Sequence, residues 1–207
     1  MPIIQKLGRL YAVTDDRYLP PQRLTMLVKK ACEGGVDMIQ LRLKNKDLIP
    51  FCFERVKKIT EKYKILLIIN DFPELVKELN ADGVHVGRND PPPEKTRKII
   101  GGKILGISAY DSIQYALKFE NIFDYVSFSS PFPSATKERK PTPFKVIKEA
   151  VIRIKKPIYV IGGICEKNIK SIMEIGVYGV AVSSYIFNAE DPEKRARILK
   201  KIIDEIS

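Results

Sequence analysis

One histidine in the whole chain, His85, rules out any site that needs two histidine ligands. The three cysteines, Cys32, Cys52 and Cys165, are an odd number without a Cys-x-x-Cys spacing. That argues against a thiolate zinc site and against a disulfide framework. Cys32 and Cys52 fall inside helical patterns, where a thiol serves as a small core group. No apolar run approaches the ~20 residues that a membrane-spanning helix requires. The opening stretch, MPIIQKLGRL, lacks the basic, apolar and small-residue order of a secretion signal, so a cytoplasmic protein is expected. No shift in composition marks a linker, and the 207 residues are read as one domain with room for one sizeable core.

Acidic residues are in deficit. Lys and Arg number 36 against 25 Asp and Glu, a net charge of +11. Nucleic acid, an anionic membrane or small anionic substrates could each use such an excess. The cations are spread through helical segments such as VKK, RVKKITEKYK and RARILKK, with no basic block and no aromatic-interleaved patch. Nucleic-acid and membrane partners are therefore not expected. Small anionic ligands stay in play.

What the chain does have is one alternation, kept from end to end. Short apolar runs lie at 10–14, 38–43, 65–69, 83–87, 104–109, 124–128, 157–161 and 179–183. Helical periodicity fills 22–33, 49–63, 73–80, 93–100, 112–120, 143–154, 168–175 and 192–206, and Pro or Gly marks most joins. Strand–helix alternation implies parallel strands with helical crossovers. Eight such units predict an α/β protein, a closed (β/α)8 TIM barrel near the small end of its size range. A doubly wound open sheet would need polar edge strands, and none is conspicuous. In such a barrel the chemistry sits where strands end.

At those exits polar residues gather. Gln40, Arg42 and Lys44 alternate with Leu41 and Leu43, so all three share one strand face. A barrel strand has no solvated face, which aims them into the barrel or its mouth, as ligands for a phosphorylated substrate or as buried salt-bridge partners. Asn70-Asp71 ends the third strand, and the fourth leads to Asp90. Two carboxylates on adjacent exits suit Mg²⁺, although each aspartate alone could instead cap the proline-started helix after it. His85, between two glycines, is read as a packed structural residue. Ser108 ends the fifth strand. Gly162-Gly163 after the seventh and Ser183-Ser184 after the eighth suggest a phosphate cradle of backbone N–H groups and hydroxyls. The sixth strand runs into SSPFPSATKERK, a proline-stiffened loop whose Ser134, Thr136 and Lys137 would serve ligands on both sides. A solvated surface turn is the plainer reading of that loop.

These residues resemble the thiamine-phosphate synthase family along nearly the whole chain. The matching stretches are LYAVTD (10–15), QLRLK (40–44), IIND (68–71), ADGVHVG with Asp90 (81–90), GIS (106–108), SPFPSATK (130–137), IGGI (161–164) and GVAVSS (179–184). The resemblance implies that a hydroxymethylpyrimidine diphosphate loses pyrophosphate, through a pyrimidine carbocation, while a thiazole phosphate nitrogen attacks the methylene carbon. It implies Mg²⁺ on Asp71 and Asp90, with Gln40, Arg42, Lys44, Asn70, Ser108 and Lys137 on the pyrimidine diphosphate. Ser134, Thr136, Gly163, Ser183 and Ser184 would hold the thiazole phosphate, and Lys137, Ser108 and Arg42 would carry catalysis. The partners implied are two small phosphorylated substrates; homo-oligomerisation and a carboxylate on the thiazole are left open.

The chain departs from the family pattern at Arg88 in place of Gln, Ser134 in place of Thr, Phe72 in place of Arg, and Ser129-Ser130 where Gly is typical. Arg88 would add a cation near the metal. Two other readings share the scaffold: a TenI-type thiazole tautomerase, which resembles the synthase but uses a histidine just after strand five, and a non-catalytic ligand-binding relative. Here the fifth strand ends Ser108-Ala109-Tyr110, and Asp71, Asp90 and Lys137 are all present.

Overall fold

The computed structural model describes residues 7–133 and 141–206. Among them are eight parallel strands: β1 (Leu10–Val13), β2 (Met38–Leu41), β3 (Leu66–Asn70), β4 (Gly83–Val86), β5 (Ile104–Tyr110), β6 (Tyr125–Ser129), β7 (Ile158–Ile161) and β8 (Gly179–Val182). Each pairs with the next, and β8 closes onto β1 with Leu10 opposite Val180. The expected barrel is the observed one. Helices α1 (Pro21–Glu33), α2 (Ile49–Tyr63), α3 (Glu74–Glu78), α4 (Pro93–Ile100), α5 (Ile113–Lys118), α6 (Phe144–Arg153), α7 (Ile169–Met173) and α9 (Pro192–Glu205) make the crossovers and the outer ring. One short helix was not foreseen: α8 (Ser184–Phe187) follows β8 directly.

Why the strands read as continuous apolar runs is plain from what surrounds them. Leu10, Ala12, Ile39 and Leu41 pack outward against the helices, whereas Tyr11, Val13 and Met38 pack with Ile68, Tyr125 and Tyr159 inside the barrel. Period two is kept, but both faces are covered. β2 stops at Leu41, short of the expected 43, because side chains from the β1 exit take its next backbone donors. Arg42 N–H donates to Thr14 Oγ1 at 3.0 Å and Lys44 N–H to Asp16 Oδ1 at 2.9 Å.

At the opposite, N-terminal rim the same clasp recurs three times. Asp37 N–H donates to the Leu10 carbonyl, Asp82 N–H to that of Leu67, and Asp124 N–H to that of Leu105. In each case the aspartate carboxylate accepts the N–H of that same leucine, at 2.9, 2.8 and 2.8 Å. At the fourth equivalent place Tyr178 N–H donates to the Ile158 carbonyl, but no carboxylate is present to reciprocate.

Candidate active site

Following the inward-facing parity of each strand towards its C-terminal end, apolar residues give way to polar ones. Met38 is followed by Gln40, Ile68 by Asn70, Gly83 by His85, Gly106 by Ser108 and Tyr125 by Ser127. These side chains line one pocket at the C-terminal mouth, together with Asp15, Arg42, Gly163, Ser183 and Ser184. Eight of the residues expected from the sequence are thus placed there or beside it: Gln40, Arg42, Asn70, Ser108, Gly163, Ser183 and Ser184 in the wall, and Asp71 next to Asn70.

Lys44 does not join them. Its side chain is exposed, beyond the early end of β2 and outside the residues that line the pocket. Ser134, Thr136 and Lys137 lie outside the described residues. Arg88 is held against the end of β5. Its guanidinium donates to the Ala109 carbonyl at 2.6 Å and lies over Tyr110 and Tyr115, about 5 Å from each ring centroid.

Asp71 and Asp90 come together, as the spacing suggested. Asp71 adopts φ 68°, a conformation that side-chain-bearing residues rarely take, at the centre of a turn in which Phe72 N–H donates to the Asn70 carbonyl at 3.0 Å. The turn is held by Asp71 N–H donating to the His85 carbonyl at 2.9 Å. Asp90 is aimed by accepting the Gly87 N–H on Oδ2 at 2.6 Å. Neither carboxylate caps a helix; Pro73 precedes α3 and Pro92 precedes α4, each without a side-chain cap. Burial and the hydrogen-bonded Asp90 carboxyl push the Asp71 carboxyl up to about 7, against the pull of Arg42 and Asn70. Mutual repulsion between two hard oxygen donors is what a divalent cation would relieve. No group of three His, Cys, Asp or Glu is clustered among the described residues. The pair therefore fits a Mg²⁺ ion that keeps waters and takes phosphate oxygens, and does not fit a cage built wholly of protein ligands.

Arg42 has one partner already: its Nη1 donates to Asp15 Oδ2 at 2.9 Å, and Arg17 Nε donates to Asp15 Oδ1 at 2.7 Å. Burial of Asp15 is outweighed by these two guanidinium groups, which hold its carboxyl below the ordinary range. The salt-bridge reading of Arg42 thus holds, and the guanidinium carries further donors in its fork beyond the one that Asp15 takes.

On the other side of the mouth the β6 and β7 loops are locked together. Ser130, where glycine is typical of the family, is buried and donates to the Gly162 carbonyl, while its N–H reaches the Ile161 carbonyl at 2.9 Å. Gly163 has φ 60°, and a Cβ there would stand 2.2 Å from the Pro133 carbonyl oxygen. Its bareness makes room for the β6 loop in addition to any phosphate. Ser183 Oγ is 3.4 Å from the Tyr18 hydroxyl.

His85 is buried and bonded through both ring nitrogens, consistent with a packed histidine, yet it also forms part of the pocket wall. Tyr11, Tyr125, Ser127 and Ser130 were missed by sequence reasoning. Strand parity was the available signal, since Ser127 stands two residues after the inward Tyr125.

The thiamine monophosphate synthase family model matches residues 10–186. The thiamine-phosphate synthase of Vibrio parahaemolyticus is 40% identical over 201 residues, covering 95% of this chain and 98% of that one. That of Clostridium acetobutylicum is 37% identical over 204 residues, 96% of each. Among solved structures, thiamine phosphate pyrophosphorylase from Pyrococcus furiosus superposes with a TM-score of 0.89 at 32% identity, over 99% of this chain and 98% of that one.

Proposed function

The chain belongs to the thiamine monophosphate synthase family, and from that premise we propose how its pocket divides the work. The reaction is the synthesis of thiamine phosphate. The carbon–oxygen bond between the pyrimidine methylene and its diphosphate breaks, and the thiazole nitrogen takes the vacated carbon. Little proton transfer is needed, so the protein's task is to place two ligands and stabilise a leaving anion.

The observation that carries this reading is the Asp71–Asp90 pair beside Asn70 and within the field of Arg42, two residues of a pocket wall that also contains Gln40 and Ser108. Mg²⁺ held by the two carboxylates would neutralise charge on the departing diphosphate. Arg42 presents its free donors to the same anion, Ser108 and Asn70 add neutral hydrogen bonds, and Gln40 orients the pyrimidine end at the pocket floor. Lys137 would follow the diphosphate from the β6 loop. The thiazole phosphate goes to the far side, between Gly163, Ser183 and Ser184, with Ser134 and Thr136 reaching it from the loop. Separate anion regions leave the reacting carbon and nitrogen between them. Among the described residues no helix is long and apolar enough to cross a membrane. The same reading puts the enzyme in the cytoplasm, with small phosphorylated molecules as its partners.

Purified protein given both substrates and Mg²⁺ should release thiamine phosphate and pyrophosphate in equal amounts, and chelation of the metal should stop turnover. Formation of an isomerised thiazole phosphate without carbon–nitrogen bond formation would overturn the assignment. Gly163→Val tests the division of the pocket. A side chain at φ 60° costs about 1–3 kcal/mol and must displace the Pro133 backbone. The variant should raise KM for the thiazole phosphate by roughly ten-fold or more, on the scale of one lost phosphate contact. KM for the pyrimidine diphosphate should change far less. Equal losses for both substrates would remove Gly163 from the cradle.

A further inference from the structure

His85 on β4 and Tyr125 on β6 are not on neighbouring strands, yet they touch. Between them on β5 stands Gly106, in register with both. A Cβ on Gly106 would lie 2.1 Å from Tyr125 Cζ. The missing side chain lets the phenol ring cross the middle strand and stack on the imidazole, with centroids 5.6 Å apart and planes 24° from parallel. The contact belongs to a longer chain of hydrogen bonds across the barrel floor. Gln40 Nε2 is 2.8 Å from the Tyr11 hydroxyl, which is 3.0 Å from that of Tyr125. The Tyr125 hydroxyl is 3.1 Å from His85 Nδ1, and His85 Nε2 is 2.9 Å from Ser108 Oγ.

The chain has a direction. An amide nitrogen can only donate, so the Tyr11 oxygen accepts from Gln40 and turns its own proton to Tyr125. Tyr125 then accepts from Tyr11 and turns its proton to Nδ1 of His85. An imidazole whose Nδ1 accepts carries its proton on Nε2, which therefore donates to Ser108. With its oxygen already accepting, Ser108 has its own hydrogen left to offer. Ser127 Oγ, 3.4 Å away, is a loose alternative to an anionic oxygen in the pocket.

We propose that Gln40, Tyr11, Tyr125 and His85 act as a positioning relay that holds the histidine in its Nε2-protonated neutral form and thereby presents Ser108 as a hydrogen-bond donor to the diphosphate. The part played by the diphosphate rests on the functional reading above; the direction of the relay does not. Burial of Tyr11 and Tyr125 pushes both phenols well above their ordinary range, so each keeps the proton the relay requires. Networks of this kind act as a unit, and their members are not additive.

His85 being the chain's one histidine, the relay can be read without substrate. Protein labelled with ¹⁵N-histidine should show, at pH 7, a protonated Nε2 and an unprotonated Nδ1. A proton on Nδ1 would mean that the chain runs the other way, with the Ser108 hydrogen turned back onto the ring, and would overturn the proposal. Kinetics give the second arm. Tyr125→Phe, with its fold checked by thermal melting, should lower turnover at saturating substrates about ten-fold, the scale of one buried hydrogen bond to a charged group. Introduced into Ser108→Ala, it should cost almost nothing further. Tyr159→Phe, whose hydroxyl serves the Gly8 carbonyl in the same interior cluster, should stay within about two-fold of the parent. An undiminished loss from Tyr125→Phe in the Ser108→Ala background would reduce the tyrosine to packing. A parent that made no thiamine phosphate would defeat the functional reading and leave the ¹⁵N result standing.

Discussion

Asp90→Asn should lower turnover by roughly two to three orders of magnitude, the scale on which preorganised charge stabilises a departing anion. The loss should come with weakened dependence of pyrimidine diphosphate binding on Mg²⁺. Binding isotherms against Mg²⁺ concentration check this, and superimposable curves for parent and variant would take Asp90 out of the site. The pair also makes a stability argument with a definite sign. The Asp71 carboxyl is pushed up to about 7 by burial and by Asp90, so the folded protein holds a proton that the unfolded chain has lost. Without metal, this group's contribution to stability is therefore full in acid. It declines as pH rises from the ordinary carboxylate range through about 7. A divalent cation replaces that proton. Mg²⁺ should thus raise the melting temperature clearly at pH 8 and only slightly at pH 5, by the mass-action gain of a ligand bound to the folded state alone. In Asp90→Asn the repulsion is gone while the burial of Asp71 remains, so the pH dependence should shrink and the Mg²⁺ response should flatten.

Lys137→Ala should have an effect of similar size, again roughly two to three orders of magnitude in turnover. Lys137 lies outside the described residues, and the expectation rests on where its loop is anchored and on the Ser-x-Thr-Lys motif. Ser130 fastens the start of the loop to Gly162, and Gly163 leaves room for Pro133, so the described start of the loop stands at the pocket wall beside Gly163. An ammonium that gains as charge builds on the leaving group should show itself in turnover more than in substrate affinity. Lys137→Arg should recover only part, since a planar fork does not replace a compact cation. The measurement is single-turnover formation of thiamine phosphate with both substrates saturating. A Lys137→Ala protein reacting within a few-fold of its parent would return the loop to an ordinary solvated turn.

The barrel was legible in the chain because each strand is apolar on two faces and each crossover is helical, a pattern with few three-dimensional solutions. The Asp71–Asp90 pair was legible because both residues stand at strand exits, where direction is set by the fold. The length of β2 was not legible, because periodicity says which face a residue shares but not where a strand stops. Its end was decided by Thr14 and Asp16, from another strand, taking the backbone donors. Ser130 looked like a departure from a small residue and proved to be a bolt between two loops. The relay was hidden for a different reason. It depends on a glycine allowing contact between strands two apart, and no spacing along one strand announces such a contact.

The aspartate clasps at the N-terminal rim divide the barrel in a way the closed sheet does not. Asp37 binds β1 to the segment entering β2, Asp82 does so for β3 and β4, and Asp124 for β5 and β6. Between β2 and β3, or β4 and β5, the same reciprocal ring is not among the hydrogen bonds of the described residues. Six of the eight strands are therefore clasped in three couples, each a βαβ unit whose closing bond spans only 15 to 27 residues of chain. Short closures cost little chain entropy, so the couples can form before the ring does. Amide hydrogen exchange near the rim should accordingly slow in pairs of strands, with Leu10, Leu67 and Leu105 among the protected sites. The β7–β8 couple, which has Tyr178 in place of an aspartate, is the natural last piece to lock. It carries Gly163, Ser183 and Ser184 at its other end, which leaves that wall of the pocket on the least tightly clasped quarter of the barrel rim.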